Sequence, residues 1–498
     1  MKPFTTTLWN VVRPRISVDA RALGIFRISL GVVLLLDILF RFQNVYAHYT
    51  DMGVLPRSVA IANYLPAEAI SIHFMTGTTW GVSLLFLVQL GLAVLLIVGY
   101  RTRIVTAAAW FMWMSLHNRM PLVLNGGDDL IRMTLFWAMF VPLGARYSVD
   151  AVQRGGYRDS VATLGTLGLL LNVVIMYSVN GLLKQSGTIW PQGEGLAYVM
   201  RLDQFTTVFG DLLSNFSGVM TVLSLAVLAL WLLSPGLLLF TGRLRTGLAT
   251  AMAAVQAGIG LTMHVGLFPL IAITTLIPFY PAQVFDRVLP RLQEMAGDRR
   301  VPTDWIAALP GPRGDTDVPA RVKQVARYAV FGVALFGLCY MLLWNVQTTS
   351  YEVGEGRDVL PLPVQNVGEA VRLETHWTMF APSPMRYDGW YVVAGLLEDG
   401  TRIDVMRGEG PVSYRKPGDV WSTYGSARWR KYLVNLYDDD NSEYRQYYAE
   451  YLCRRWNENH DRALMNLTMT YVVERTYSGG EMAPEQEQVA THRCFGEP

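Results

Sequence analysis

Lys184 stands at the end of a hydrophobic stretch, in Asn180-Gly181-Leu182-Leu183-Lys184-Gln185-Ser186-Gly187-Thr188-Ile189-Trp190. Ionisable groups at membrane depth are expensive to keep and are functional candidates for that reason. An amine partly withdrawn from water loses ammonium solvation and becomes usable as a base. The competing reading of the same position is an interfacial lysine snorkelling to the headgroups. Three further positions carry usable chemistry. His117 and Asn118 are adjacent in Trp113-Met114-Ser115-Leu116-His117-Asn118-Arg119, and His264 precedes Gly266 and Pro269. A satisfied interhelical hydrogen bond competes as a role for His117, and packing at a tight turn for His264. Asp128, Asp129 and Arg132 read either as part of a site or as a helix start, with acids at the N-terminus and pairing one turn on. Arg27 and Asp37 read as structural or interfacial. No metal site is expected, because no two histidines stand at helical ligand spacing and neither HExxH nor CxxC occurs. There is also no P-loop, no GxGxxG after a strand and no GxSxG elbow.

The elements that must position these residues follow from composition. The 498-residue chain is 51% hydrophobic and 16% charged, against roughly 25% charged in an ordinary soluble protein. The deficit lies before Asn345, and the remainder is polar, aromatic and charged. The reading is a membrane all-α bundle over 1–348, followed by a soluble, mainly β, sandwich-like extracytoplasmic domain with helical insertions over 349–498. A net charge of +2 argues against general affinity for nucleic acid.

Apolar stretches of spanning length occur near 22–40, 80–100, 104–123, 129–144, 161–183, 217–240 and 328–347. The segment 247–285 is too long for one helix and short for two, with a break offered by Gly266 and Pro269. Arg101 and Arg103, then Arg146, Arg154 and Arg158, then Arg243 and Arg245, then Arg287 to Arg327, mark alternate loops as cytoplasmic. Arg245 and Arg287 fall on the same side, so the chain between them crosses twice, giving about nine crossings with the N-terminus inside. Met1–Arg21 lacks the pattern of a cleavable signal peptide, and the first span is expected to act as an uncleaved anchor. The segment 286–327 reads as a cytoplasmic linker with one short helix around Trp305. In this arrangement His117, Asp128, Lys184 and His264 meet the outer leaflet at similar depth from different helices, and Lys184 and His117 are expected to line one cavity, with His264 at its edge.

In the last 150 residues, Trp390 to Asp404 alternates around Glu398-Asp399-Gly400 as a hairpin. Arg428 to Asn457 reads as one or two helices broken near Asp438–Asn441, and Leu464 to Tyr477 as a strand. Cys453 and Cys494 lie here and a disulfide between them is open, on the weak signal of two cysteines. Trp377-Thr378-Met379-Phe380-Ala381-Pro382 reads as core or membrane-interface packing in preference to a ligand site.

Gly181–Trp190, with Gly193 and Met200 following, resembles the catalytic segment of vitamin K-dependent γ-glutamyl carboxylases. So does His117-Asn118 with Tyr147-Ser148-Val149-Asp150 after the next helix, and Tyr444–Cys453 leading into Thr468–Arg475 is similar to the carboxylase's luminal domain. The broader family is the HTTM (horizontally transferred transmembrane) family, whose members often carry a Trp-x-Met-Phe-Ala-Pro segment like Trp377–Pro382. The resemblance implies that Lys184 deprotonates reduced vitamin K or menaquinol, with oxygen and carbon dioxide as co-substrates and glutamate of a secreted peptide as acceptor. It implies a place for His117 beside the quinone oxygen, and for Asn118, His264 and Trp190 around the cofactor. Two departures stand out. The carboxylase has two adjacent lysines where this chain has Leu183-Lys184, and acidic residues where it has Ser186 and Thr188. Quinol chemistry therefore carries over better than carboxylation. The alternative is a non-catalytic membrane module that binds a lipid, a quinone or a peptide in export or maturation of a secreted factor. A transporter is weaker, since no inverted repeat is visible.

Overall fold

The computed structural model describes all residues except 1, 64–70, 297–308, 311–318, 409, 478–479 and 496–498; the short helix expected around Trp305 lies outside the described residues. Apolar runs become helices where capping residues bound them. Asp19 caps α1 (Ala20–Phe42) and Thr78 caps α2 (Thr79–Val98), which ends on Gly99 in the left-handed region at φ 72°. α3 (Thr102–Arg119) leads to α4 (Gly126–Ala138), which starts in a capping box between Asn125 and Asp128. A second capping box, Thr163 with Thr166, starts α5 (Leu164–Ser186). Each box satisfies amide groups that a helix N-terminus leaves without partners.

The chain then bends. α6 (Val208–Ser214) lies at 107° to α7 (Ser217–Leu232). α8 (Gly242–Thr262) stops two residues before His264, and α9 (Phe268–Leu276) starts after Gly266 at φ 65°, so the break expected there is present. α10 (Ala320–Glu352) closes the helical region. Among the described residues four helices are long and apolar enough to cross a membrane, or six if each of two bent pairs is one span. The expected count of about nine is not reached. α4 has 13 residues, which at about 1.5 Å per residue falls short of a bilayer core of about 30 Å, and α9 has nine and reaches that length only if its bent continuation through Arg291 is counted with it. Their apolar character is explained by burial inside the protein, where Leu130, Ile131, Ile271 and Ala272 all belong to the core.

The C-terminal region is built on one antiparallel sheet. β1 (Tyr387–Leu397) pairs with β2 (Arg402–Asp404) across Gly400, which sits at φ 83° as a tight turn requires. The other edge of β1 pairs with β3 (Leu464–Tyr477), whose far side carries the two-residue β4 (Gly480–Glu481) and β5 (Glu485–Arg493). α11 (Ala427–Tyr437) and α12 (Arg445–Asn459) accompany the sheet, separated by a 3-10 turn over Asp439–Tyr444. The sandwich expectation is corrected here. The described residues form a single main sheet, and helices bury it where a second sheet would: Tyr432, Tyr448 and Trp456 join Tyr391, Val392 and Tyr471 in one core. Cys453 of α12 and Cys494 are joined by a disulfide.

Candidate functional site

A cavity of about 1100 Å³ lies where the ends of α5, α7 and α8 meet the C-terminal region. Its wall is largely apolar and includes Val199, Phe205, Val227, Trp231, Ile259 and Phe268. Tyr177, Asn180 and Lys184 face it from α5. Their spacing of three and four residues places them on one side of the helix. Lys184 is 4% exposed. Its Nζ donates to Asn180 Oδ1 at 2.6 Å and to the Met379 carbonyl at 2.7 Å, and sits 4.6 Å from the centre of the Trp190 ring. Among the described residues no carboxylate forms an ion pair with it. This is a buried amine held by neutral acceptors, which is uncommon for a side chain that normally pairs when buried.

The segment Trp377–Pro382 forms the facing wall. Asn180 Nδ2 donates to the Trp377 and Met379 carbonyls at 2.7 and 3.0 Å, and Trp190 Nε1 donates to the Phe380 carbonyl at 2.7 Å. A Cβ on Gly187 would stand 2.3 Å from the Pro382 carbonyl oxygen, so a residue without a side chain is needed where the two strands of chain meet. Thr378, Met379, Phe380 and Ser383 all line the cavity. The expectation that this segment serves packing alone is therefore incomplete: its backbone also fixes the lysine.

The end of the cavity formed by the C-terminal region is lined by Arg372, Glu374, His376, Arg430 and Lys431. Glu374 accepts from Arg372 Nη1 at 3.3 Å through Oε1, while Oε2 has no partner among the described residues, and burial pushes this carboxyl up. Burial brings the Arg430 guanidinium down to about 10, which leaves it charged at neutral pH, and burial followed by the Arg430 charge lowers Lys431.

Behind this wall, and not in it, lies a buried charge network. Arg41 on α1 pairs with Asp37 at 2.9 Å and with Asp128 on α4. Arg428 from α11 reaches the same two acids, at 2.6 Å from Asp37 and 3.1 Å from Asp128. The Trp113 indole donates to Asp37 at 3.0 Å. Two arginines and two aspartates balance formally, as a buried network must.

The HTTM domain family model matches residues 16–283, more than half of the chain. This chain belongs to the HTTM family. No curated protein and no solved structure matches it. The HTTM match contains Lys184, Asn180 and Trp190 but ends before Trp377–Ser383 and Arg430, so the cavity is shared between the HTTM domain and the C-terminal region.

Within the HTTM domain, Lys184 and Trp190 share the cavity and His117 does not join them. His117 is fully buried in the charge network. Its Nε2 is 3.4 Å from Arg41 Nη2 and 3.5 Å from Asp128 Oδ1, and its Nδ1 is 3.5 Å from Arg132 Nη1. The expectation of one cavity lined by both residues is corrected on that account: α4 and its carboxylates stand between. Arg132 also pairs with Asp129, which lines the cavity, at 2.9 Å and donates to the Arg372 and Glu374 carbonyls, so His117 reaches the cavity indirectly, through Arg132. Asn118 accepts from Arg372 Nε at 2.5 Å and likewise supports a lining residue. His264 stacks on Trp421 at 4.2 Å, while its neighbours Met263 and Val265 line the cavity. Arg27 serves the backbone, donating to the carbonyls of Leu96, Ile97 and Tyr147.

Sequence reasoning missed Asn180, Tyr177 and the contributions of the C-terminal region. Asn180 carried a local signal, since it lies four residues before Lys184 on the same helical face. Arg372, Arg428 and Arg430 carried none, because they reach the HTTM domain through contacts hundreds of residues apart.

Proposed function

We propose that this HTTM protein is an integral membrane enzyme, akin to the vitamin K-dependent carboxylases, in which Lys184 takes a proton from a hydroxyl of a reduced quinone. The observation that carries this reading is the setting of the amine: in a largely apolar cavity, held by two neutral acceptors and, among the described residues, paired with no acid. An unprotonated amine has two N–H donors and one lone pair. Asn180 Oδ1 and the Met379 carbonyl take the two donors, which leaves the lone pair for a ligand proton. Once the proton has moved to Nζ, the same two oxygens and the Trp190 face support the ammonium. The quinone fits the wall that is present: an apolar cavity of about 1100 Å³ with few convergent polar groups is the usual form of a small-molecule site. Trp231, Val227 and Ile259 would take its ring and chain, and a lipid-soluble ligand would enter from the membrane. When bound, reduced vitamin K or menaquinol supplies the oxygen-dependent chemistry, with carbon dioxide consumed where carboxylation of a secreted peptide follows. In this reading the N-terminus is cytoplasmic and the C-terminal region extracytoplasmic.

One observation favours the non-catalytic alternative. Lys184, Asn180 and Trp190 together bind the backbone of Met379 and Phe380, which is also what a purely structural strap would do. Lys184→Arg separates the two. Arginine keeps charge and donors but cannot act as a base in a protein. Consumption of reduced menaquinone under oxygen, by purified protein in nanodiscs, is expected to fall by at least about 10²-fold with the thermal midpoint little changed. Turnover equal to wild type would make Lys184 the strap and the protein a binding module.

A further inference from the structure

We propose that Arg430 forms an anion-binding subsite of this cavity, which receives a single carboxylate on a neutral or basic carrier arriving from the aqueous side. The inference rests on the cavity being a ligand site and not on base chemistry at Lys184.

Arg430 is 8% exposed and lines the cavity. Among the described residues its Nε has no hydrogen-bond partner and no carboxylate forms an ion pair with it, although the buried Asp388 carboxyl is near enough for its charge to act on it; its guanidinium carbon lies 3.8 Å from the centre of the Phe205 ring. Three deeply buried arginines nearby are compensated at close range: Arg41 and Arg428 by Asp37 and Asp128, and Arg132 by Asp129. An unpaired buried charge costs several kcal/mol, a cost that a ligand carboxylate in the cavity would offset. The planar fork of a guanidinium matches a carboxylate with two parallel hydrogen bonds.

The route to Arg430 constrains the carrier. A second cavity of about 520 Å³ adjoins the first, sharing Met385, Lys431 and Val434 with it, and Asp438, Asp439 and Glu487 stand around it. The Asp439 side chain is almost fully exposed. A densely acidic ligand would meet three carboxylates before it reached the arginine, whereas one carboxylate flanked by neutral or basic groups is drawn in by the doorway and held at its end. The carboxylate chemistry has two sources, a polypeptide side chain or a small free acid.

The test uses the full-length protein in nanodiscs and microscale thermophoresis with three probes: acetate, a peptide with one glutamate between lysines, and a peptide of five glutamates. The lysine-flanked peptide is expected to bind, with acetate competing, and Arg430→Met to weaken both on the order of tenfold or more. Arg430→Lys keeps the charge without the fork and is expected to lose less, which guards against a variant that fails to fold. The five-glutamate peptide is expected to bind more weakly, with the gap narrowing in Asp438→Asn/Asp439→Asn/Glu487→Gln. Acetate binding that depends on Arg430 but is not displaced by the peptide supports the subsite and identifies a small free acid as its source. Unchanged affinity in Arg430→Met, or tighter binding of five glutamates than of one, would overturn the proposal. Quinol turnover is read in a separate assay, so failure of the lysine chemistry and failure of this subsite are distinguishable.

Discussion

At the scale of single residues, the joint between the HTTM domain and the sheet contains a carboxyl with an unusual setting. Asp388 on β1 is 1% exposed, and its Oδ1 accepts from the amides of Gln204 and Gly389 at 3.3 and 3.1 Å while Oδ2 has no partner. Glu474 stands opposite it across the strand pair, and Lys416 bridges Glu474 and Asp203. Burial, followed by the Asp203 charge, pushes the Asp388 carboxyl up to about 7. The folded protein therefore keeps this proton to near neutrality, whereas the unfolded chain releases it near pH 4. Between about pH 4 and 7 the native state binds more protons, so stability from this group is full at low pH and is lost as pH rises. Asp388→Asn keeps the shape and the acceptor without the charge. It is expected to flatten that slope and to stabilise the protein at pH 8 on the order of 2–4 kcal/mol. Thermal unfolding in detergent at pH 5, 6, 7 and 8 measures it, and parallel profiles for the two proteins would rule the account out.

At the scale of elements, α11 is the piece that ties the two regions together. Its N-terminal turn sends Arg428 into the HTTM domain, where it meets Asp37 of α1 and Asp128 of α4. Arg428→Met would leave two buried carboxylates facing Arg41 alone. Removal of one partner from a buried pair typically costs about 3–5 kcal/mol, and the expected sign here is a lower thermal midpoint with earlier proteolysis of the C-terminal region. Adding Asp128→Asn restores formal balance and is expected to recover part of the loss; a double variant worse than the single one would mean that charge balance is not what α11 supplies. These elements also mark what the sequence could yield. The strand Leu464–Tyr477, the hairpin at Gly400 and the helix break near Asp438 were legible because alternation, turn residues and polar punctuation are local signals. Lys184 was legible because charge in an apolar run is conspicuous. The role of His117 was not, because its neighbours Arg41 of α1 and Asp128 and Arg132 of α4 come from two other helices whose packing against α3 no local pattern encodes. The expected sandwich failed for a related reason: alternating strands indicate one buried face but do not say whether a sheet or helices will cover it.

At the scale of the whole molecule, the proposed orientation rests on the distribution of charge along the helix axes. The C-terminal ends of α1, α3 and α5 all meet the C-terminal region, through Arg41 with Asp128 and Arg428, Asn118 with Arg372, and Lys184 with Met379. The opposite end gathers Arg101, Arg103, Arg146, Arg154, Arg243 and Arg245. There Arg27 holds the last carbonyls of α2, and Arg245 donates to the Arg15 carbonyl at 3.2 Å. Most arginines at the first end are buried in ion pairs or hydrogen bonds, so they contribute little as free topogenic charge. Those at the other end are mainly exposed. Positive residues favour the cytoplasmic face, so the C-terminal region with its cavity mouth, its disulfide and the Arg430 doorway should face outward. An oxidising exterior also suits Cys453 and Cys494 as a stable pair. The short α4 and α9 agree with this orientation, because the chain after each returns to the arginine-rich end: Arg146 follows α4, and Asp286, after α9, pairs with Arg21 at the start of α1 at 2.7 Å. Single cysteines introduced at Asp399 in the β1–β2 turn and at Arg103 near the start of α3, with Cys339→Ser as background, test it directly. In intact cells a membrane-impermeant maleimide is expected to label Asp399→Cys and not Arg103→Cys, with both labelled after permeabilisation. Labelling of Arg103→Cys alone in intact cells would invert the molecule and place the cavity mouth on the cytoplasmic side, where a secreted peptide could not be its substrate.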